Sequence, residues 1–217
     1  PILFAYAKMN VNTPVIQETN KKPLHEIREG ISEARKNPII FGNLLAAGIV
    51  SSLILNMGTY GPLFADRVLH KGLDGFGSIL FAAGAGSMAS GILSATSSTH
   101  YSQRFIFTAA GLCGLLLMAV SYIFWTIPAL LMFALLGFAT ILFMVNCNTA
   151  IQMASPPEYL GRIMGLYTFV FLGSAPFGSL LVSAIIEFMG TSLGLAIVGL
   201  FEIILILLTA KTYSKQK

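Results

Sequence analysis

"MASPPEYLGRIMGLY", residues 153–167, is a short polar segment between two long apolar runs. Pro156 and Pro157 stop a helix, because proline lacks a backbone N–H and clashes with the preceding turn. Glu158 and Arg162 are the only charged residues between Arg104 and Glu187. A chain so poor in charge on both sides of this segment cannot cover itself in water. The segment reads as a hinge between two apolar rods, and the question is which solvent the rods occupy.

Composition answers that question. The chain has 217 residues, 55% hydrophobic and 10% charged, with a mean hydropathy of +0.79. Soluble domains carry about 25% charged residues. The bilayer is the solvent that fits, and the length allows several spans of roughly 20 residues each. Cys113 and Cys147 lie deep inside apolar runs and read as small hydrophobes, so neither a disulfide nor a metal framework follows.

Working outward, six apolar runs cover residues 39–65, 76–95, 105–124, 127–154, 163–189 and 191–210. Six successive runs of span length are not core helices of a soluble fold. The predicted fold is therefore all-α: a polytopic membrane protein with a six-helix transmembrane bundle over 39–210. Residues 1–7, "PILFAYA", are too short to cross and read as the end of a preceding span. Residues 8–38 read as a linker and 211–217 as a polar tail. Within the linker, Leu24, Ile27, Ile31 and Ala34 recur at helical spacing and predict an amphipathic helix. Such a helix lies on the membrane surface, on a neighbouring domain, or in solvent as a plain connector.

Orientation follows from Lys and Arg. An even number of crossings puts both ends in one compartment. That side receives Lys8, Lys21, Lys22, Arg28, Arg35, Lys36, Arg104, Arg162, Lys211, Lys215 and Lys217, against Arg67 and Lys71 on the other. The positive-inside rule then predicts cytoplasmic ends, with Tyr122 and Trp125 at the outer interface. The basic residues follow membrane orientation, which argues against a nucleic-acid partner and leaves membrane lipid as the surrounding one.

Polar residues within the runs are unevenly placed. Ser52, Asn56 and Tyr60 fall near one face of the first run, and Asn148, Thr149 and Gln152 near one face of the fourth. Amides in hydrocarbon need partners or water, so these faces line a path or make interhelical hydrogen bonds worth about 0.6 kcal/mol. In the second run, Ala83, Ser87 and Gly91 recur every four residues, as do Gly86 and Ser90, which predicts close helix packing, static or sliding. In the fifth run Gly173, Pro176 and Gly178 predict a bend, functional or merely tolerated. Glu202 lies near mid-span in the sixth run. An insertion cost of about 2.5–3.5 kcal/mol is offset by its apolar neighbours at roughly −0.3 to −0.6 each. It is a possible protonation site or a structural carboxyl. Catalytic chemistry finds no support: the three histidines fall in predicted loops, and no HExxH, GxGD or phosphate-cradling loop is present. No cofactor is implied.

The order of "PLHEIREGISEARKNP", a first span ending in Tyr, Gly and Pro, and "NTAIQMASPPEYLGRIMGLYTFVFLGSAPFGSLL" resembles the C-terminal half of a major facilitator superfamily transporter. The branch containing the enterobactin exporter and related drug and siderophore exporters is the most similar. The resemblance implies a twelve-helix fold of two six-helix bundles around a cavity, each bundle an inverted pair of three-helix repeats. It implies a missing N-terminal six-span half as partner, a small-molecule substrate, and proton-linked export across a bacterial cytoplasmic membrane. It places the first and fourth spans on the cavity, which favours Ser52, Asn56, Tyr60, Asn148, Thr149 and Gln152 as substrate-path residues. It makes the third and sixth spans peripheral and assigns Glu158, Arg162, Gly173, Pro176 and Gly178 to gate or hinge. "GSAPFG" is similar to the family's glycine–proline antiporter motif. The loop after the second span keeps Gly91 and Arg104 but lacks the Asp and dense basic residues of the usual gating motif. The alternatives are a non-transporting remnant, a half that assembles with a separately encoded partner, or a small six-span enzyme or channel.

Overall fold

The computed structural model describes residues 23–96 and 102–215, with side chains over 29–96 and 102–213. Residues 1–7, most of the linker before Pro23, and His100 fall outside the described residues. Every regular element among those described is a helix. In chain order they are α1 (Pro23–Lys36), α2 (Pro38–Leu53), α3 (Met57–Arg67), α4 (Gly72–Thr96), α5 (Gln103–Val120), α6 (Thr126–Ala154), α7 (Leu160–Met189) and α8 (Thr191–Lys215). Six segments are long and apolar enough to cross a membrane: α2 with α3, then α4, α5, α6, α7 and α8. These coincide with the six apolar runs within a few residues at each end. α8 continues through Lys215, so most of the expected tail is helical. His25, expected in a loop, falls within α1.

The opening segment folds as its prolines require. Ser155 ends α6 in an extended conformation, φ −84° and ψ 130°, which the following Pro156 favours. The chain then turns, with Tyr159 N–H donating to the Pro156 carbonyl at 3.0 Å, and α7 begins at Leu160. Before α2, Asn37 is an N-cap whose side chain accepts from Ile39 N–H at 3.0 Å, with Pro38 in the first turn.

The three most extensively packed pairs are the second span with the fourth (α4·α6), the third with the sixth (α5·α8), and the first with the fifth (α2·α7), with the third and fourth (α5·α6) close behind. Exchanging spans one to three with four to six converts α2·α7 into α6·α4 and leaves α5·α8 paired with itself. These three pairs are the ones a three-plus-three repeat requires, whereas the first span with the second and the fifth with the sixth pack without an equal counterpart in the other half. Each pair closes on glycine against backbone. A Cβ on Gly86 would collide with the Ala134 carbonyl, one on Gly137 with the Ala83 carbonyl, one on Gly178 with the Ser52 carbonyl, and one on Gly199 with the Gly114 carbonyl. Small residues let backbones touch, which supplies the dispersion that holds helices together in lipid. Of the small-residue stripe in α4, Ala83, Gly86 and Ser90 are buried, and Ser87 donates to the Gly137 carbonyl at 3.3 Å. Gly91 meets nothing within 4 Å.

The first span is the most enclosed, followed by the third and sixth; the second and fifth are least enclosed. The third and sixth spans, expected at the periphery of a twelve-helix assembly, are thus well buried within this bundle. Their glycine seam brings the two backbones into contact. The bundle leaves Phe81 on α4 and Phe169, Phe177 and Phe188 on α7 largely exposed. Apolar side chains of this size belong against lipid or another helix bundle.

Candidate functional site at paired mid-span helix breaks

The first span is not one helix. "SSLILNMGTYGP" carries two serines, an asparagine, two glycines and Pro62, all poor mid-helix residues. α2 ends at Leu53 and α3 starts at Met57, near the middle of the span. A break in hydrocarbon frees backbone groups at a cost of several kcal/mol each unless they find partners. Local side chains supply them. The Asn56 amide donates to the Ser52 carbonyl and, at 3.5 Å, to the Ser51 carbonyl. The Tyr60 hydroxyl donates to the Ile54 carbonyl at 2.8 Å. Tyr60 is fully buried, so its place is inside the break and not on an open path.

The break faces the proline segment of the fifth span. Ser51 donates its hydroxyl to the Phe171 carbonyl, one turn before Pro176, and Gly178 lies against the Ser52 backbone. Two weakened helices therefore meet at mid-depth. α7 remains a continuous helix through Pro176, whose ring is exposed, while Gly178 is buried. Gly173 has open space where a Cβ would project, so it does not contribute to the close contact. From the Ser52 end of this contact a cleft of about 370 Å³ runs between α1, α2 and α7, past Gly48 and Val170, to Ile31 and Arg35.

On α6 the buried stripe is Phe143, Cys147 and Ile151. Thr149 and Gln152 are exposed and Asn148 is half-buried. Gln152 donates to Asn148, and Thr149 donates to its own helix at the Val145 carbonyl, 2.8 Å away. The predicted amide row is real, but it lies away from the core of this bundle. No hydrogen bond among the described residues joins it to the break in the first span.

At the end of the bundle near the opening segment, Arg162 donates to Glu29 of α1 at 2.8 Å and stacks over Tyr159, 5.6 Å from the ring centroid. Glu158, the other charge of that segment, is exposed and has no ion pair among the described residues. Ala34 and Gly30 are buried, and Gly30 packs on Arg162. The amphipathic helix therefore docks on α7. On its outer side Lys36 donates to Glu33 at 2.8 Å, and that bond raises the lysine pKa. Both side chains of the Arg162–Glu29 pair are mostly shielded from water. A double-mutant cycle on Glu29→Ala and Arg162→Ala should give a coupling of roughly 1 kcal/mol, toward the upper end for surface pairs. Unfolding free energies of wild type, both single variants and the double variant give the coupling.

Sequence reading passed over a second polar cluster. Asn43, wholly buried in α2, donates to the Gln103 side chain at 2.9 Å and to the Ile39 carbonyl at 2.8 Å. Cys147 donates to the Asn43 carbonyl at 3.4 Å, and Asn37 donates to the Ala154 carbonyl at 3.2 Å. These contacts tie the start of α2 to α5 and to the end of α6. The available signals were a lone amide in "IIFGNLLAAG" and the Asn–Pro start of a helix.

Glu202 is fully buried where the third and sixth spans cross, its carboxylate against Gly114. Among the described residues no side chain donates to either oxygen, and the backbone of Gly114 is the polar group beside it. Among the described residues no group of His, Cys, Asp or Glu is arranged to hold a metal.

Six apolar helices and a broken first span describe the fold, and residues 2–179 match the sequence profile of the Major Facilitator Superfamily. The chain belongs to the Major Facilitator Superfamily. Searches of curated proteins and of solved structures gave no match. A Major Facilitator Superfamily chain is a multi-pass membrane transporter. The matched region includes the first-span break, the amide row on α6, the Arg162 segment and the Pro176–Gly178 contact.

Proposed function

We propose that this chain is the C-terminal six-span half of a proton-linked exporter of small amphipathic molecules, of drug or siderophore type. Its membrane is a bacterial cytoplasmic membrane, with both ends of the segment in the cytoplasm. The observation that carries this reading is the polar row Asn148, Thr149 and Gln152, two amides and a hydroxyl, turned away from the buried stripe of its own helix. Amides directed at lipid are costly, so such a face belongs on a water-lined path completed by a second bundle. Ser52 and Asn56 supply the other polar wall, from a break whose Ser51, Ser52 and Ile54 carbonyls accept from Asn56 and Tyr60. The Gly178 contact is the hinge, and the Arg162–Glu29 pair fastens the cytoplasmic end in one state of the cycle. Proton linkage rests on the resemblance of "GSAPFG" to the antiporter motif. Glu202, enclosed in a helix seam, is the structural carboxyl of this scheme.

Asn148→Ala and Gln152→Ala, made in the complete transporter, are expected to lower export about fivefold or more without reducing membrane insertion. Export is read in vesicles with and without a pH gradient. Unchanged export by both variants removes the row from the path, and export indifferent to the gradient removes proton linkage.

A further inference from the structure

The third and sixth spans leave a second cleft, of about 820 Å³, along the opposite side of their glycine seam. Its wall is apolar, with Gly111, Leu115, Ile203 and Leu207 along its length, and its mouth carries Arg104 and Lys211. Both cations are exposed, neither has an ion pair among the described residues, and no carboxylate lines the cleft. The mouth is also the start of α5, where the Ser102 hydroxyl makes no capping bond. Gln103, at the same place, has its carbonyl oxygen engaged by Asn43 and its buried amide nitrogen without an acceptor. Two cations and an uncapped helix start meet at one end of a hydrocarbon-lined trough. A membrane-facing apolar trough with this mouth complements one molecule: a lipid with a negatively charged head.

We propose that this cleft binds an anionic phospholipid, its phosphate held between Arg104 and Lys211 and one acyl chain laid along Gly111 and Leu207. The distance fits. From Arg104 to Leu115 the helix rises about 16 Å, roughly half the hydrocarbon thickness of a bilayer and so one leaflet. The site stands on this geometry alone; only its assignment to the cytoplasmic leaflet depends on the orientation proposed above. A lipid lodged there covers the seam holding Glu202 and bridges the two spans from outside.

The test uses the full-length protein in nonionic detergent, titrated with phosphatidylglycerol, phosphatidylcholine and inorganic phosphate. Native mass spectrometry and thermal unfolding are the readouts. Phosphatidylglycerol is expected to bind about tenfold more tightly than phosphatidylcholine. The Arg104→Gln/Lys211→Gln variant should lose that preference while keeping its fold. Arg35→Gln/Lys36→Gln, removing two cations elsewhere at the same end, should keep the preference. Gly111→Leu gives an independent check: a Cβ there meets nothing within 4 Å, so the side chain enters the cleft without disturbing the helices. It should weaken phosphatidylglycerol binding with Arg104 and Lys211 intact. Equal binding of the two lipids, or a preference that survives Arg104→Gln/Lys211→Gln, overturns the proposal. Stabilisation by phosphate alone to the same extent overturns the lipid as occupant.

Discussion

Gly178→Leu is expected to cut export to below about a tenth of wild type and to lower the yield of folded protein. Even a Cβ at this position would overlap the Ser52 carbonyl, and that obstacle is backbone, which cannot rotate aside. The first and fifth spans must separate to admit the side chain. Separation also pulls Ser51 from the Phe171 carbonyl, leaving polar groups beside two helix interruptions without partners. Overpacking of 1–3 kcal/mol and at least one lost buried hydrogen bond combine to about 3 kcal/mol or more. Gly173→Ala lies in the same "GSAPFG" neighbourhood but has open space, so it should behave nearly as wild type. Equal loss in the two variants would mean that backbone flexibility, not the close contact, is what the motif supplies. Export in vesicles and size-exclusion profiles of the two proteins separate these outcomes.

Gly114→Leu should be comparably damaging, for a different reason. Any Cβ at Gly114 enters space held by the Glu202 carboxylate, and the Gly199 carbonyl is 2.7 Å from the same point. The variant must part the third and sixth spans and push a polar group out of its slot. A loss of about 3 kcal/mol or more is expected, read as lower resistance to heat or denaturant in detergent. Glu202→Gln is the companion. The slot offers the carboxyl group no cation among the described residues, and an amide of the same shape fits the same space without bringing a charge. Stability close to wild type, with export retained, fits the structural role. Export abolished in a well-folded Glu202→Gln protein would return Glu202 to the coupling chemistry.

The spans were legible because hydropathy over a window of membrane length is a sum over many residues, and single errors cancel. The hinge at 153–167 was legible because two prolines act locally, whatever surrounds them. The break at Ile54–Asn56 was not: Ser51, Ser52 and Asn56 advertise polarity, which reads equally as a path or as backbone repair. In the fold, Asn56 and Tyr60 are directed at carbonyls of their own break. Arg162 was expected near a gate, yet its partner Glu29 lies 133 residues away. Such pairing depends on how α1 docks and leaves no trace in local spacing. Asn43 went unnoticed because one amide in an apolar run has no periodicity of its own.

One short joint has practical weight for anyone building reporters into this protein. α7 and α8 are separated by Gly190 alone, at φ 79°, and Gly194 packs back on Ile186 with hardly room for a methyl group. The last two rods are thus a welded fork, and tilting one carries the other. A fluorophore or epitope spliced at 190 would pry the fork apart. In the joint between α6 and α7 the side chains of Pro157 and Glu158 are exposed, and a probe attached there leaves both rods in place.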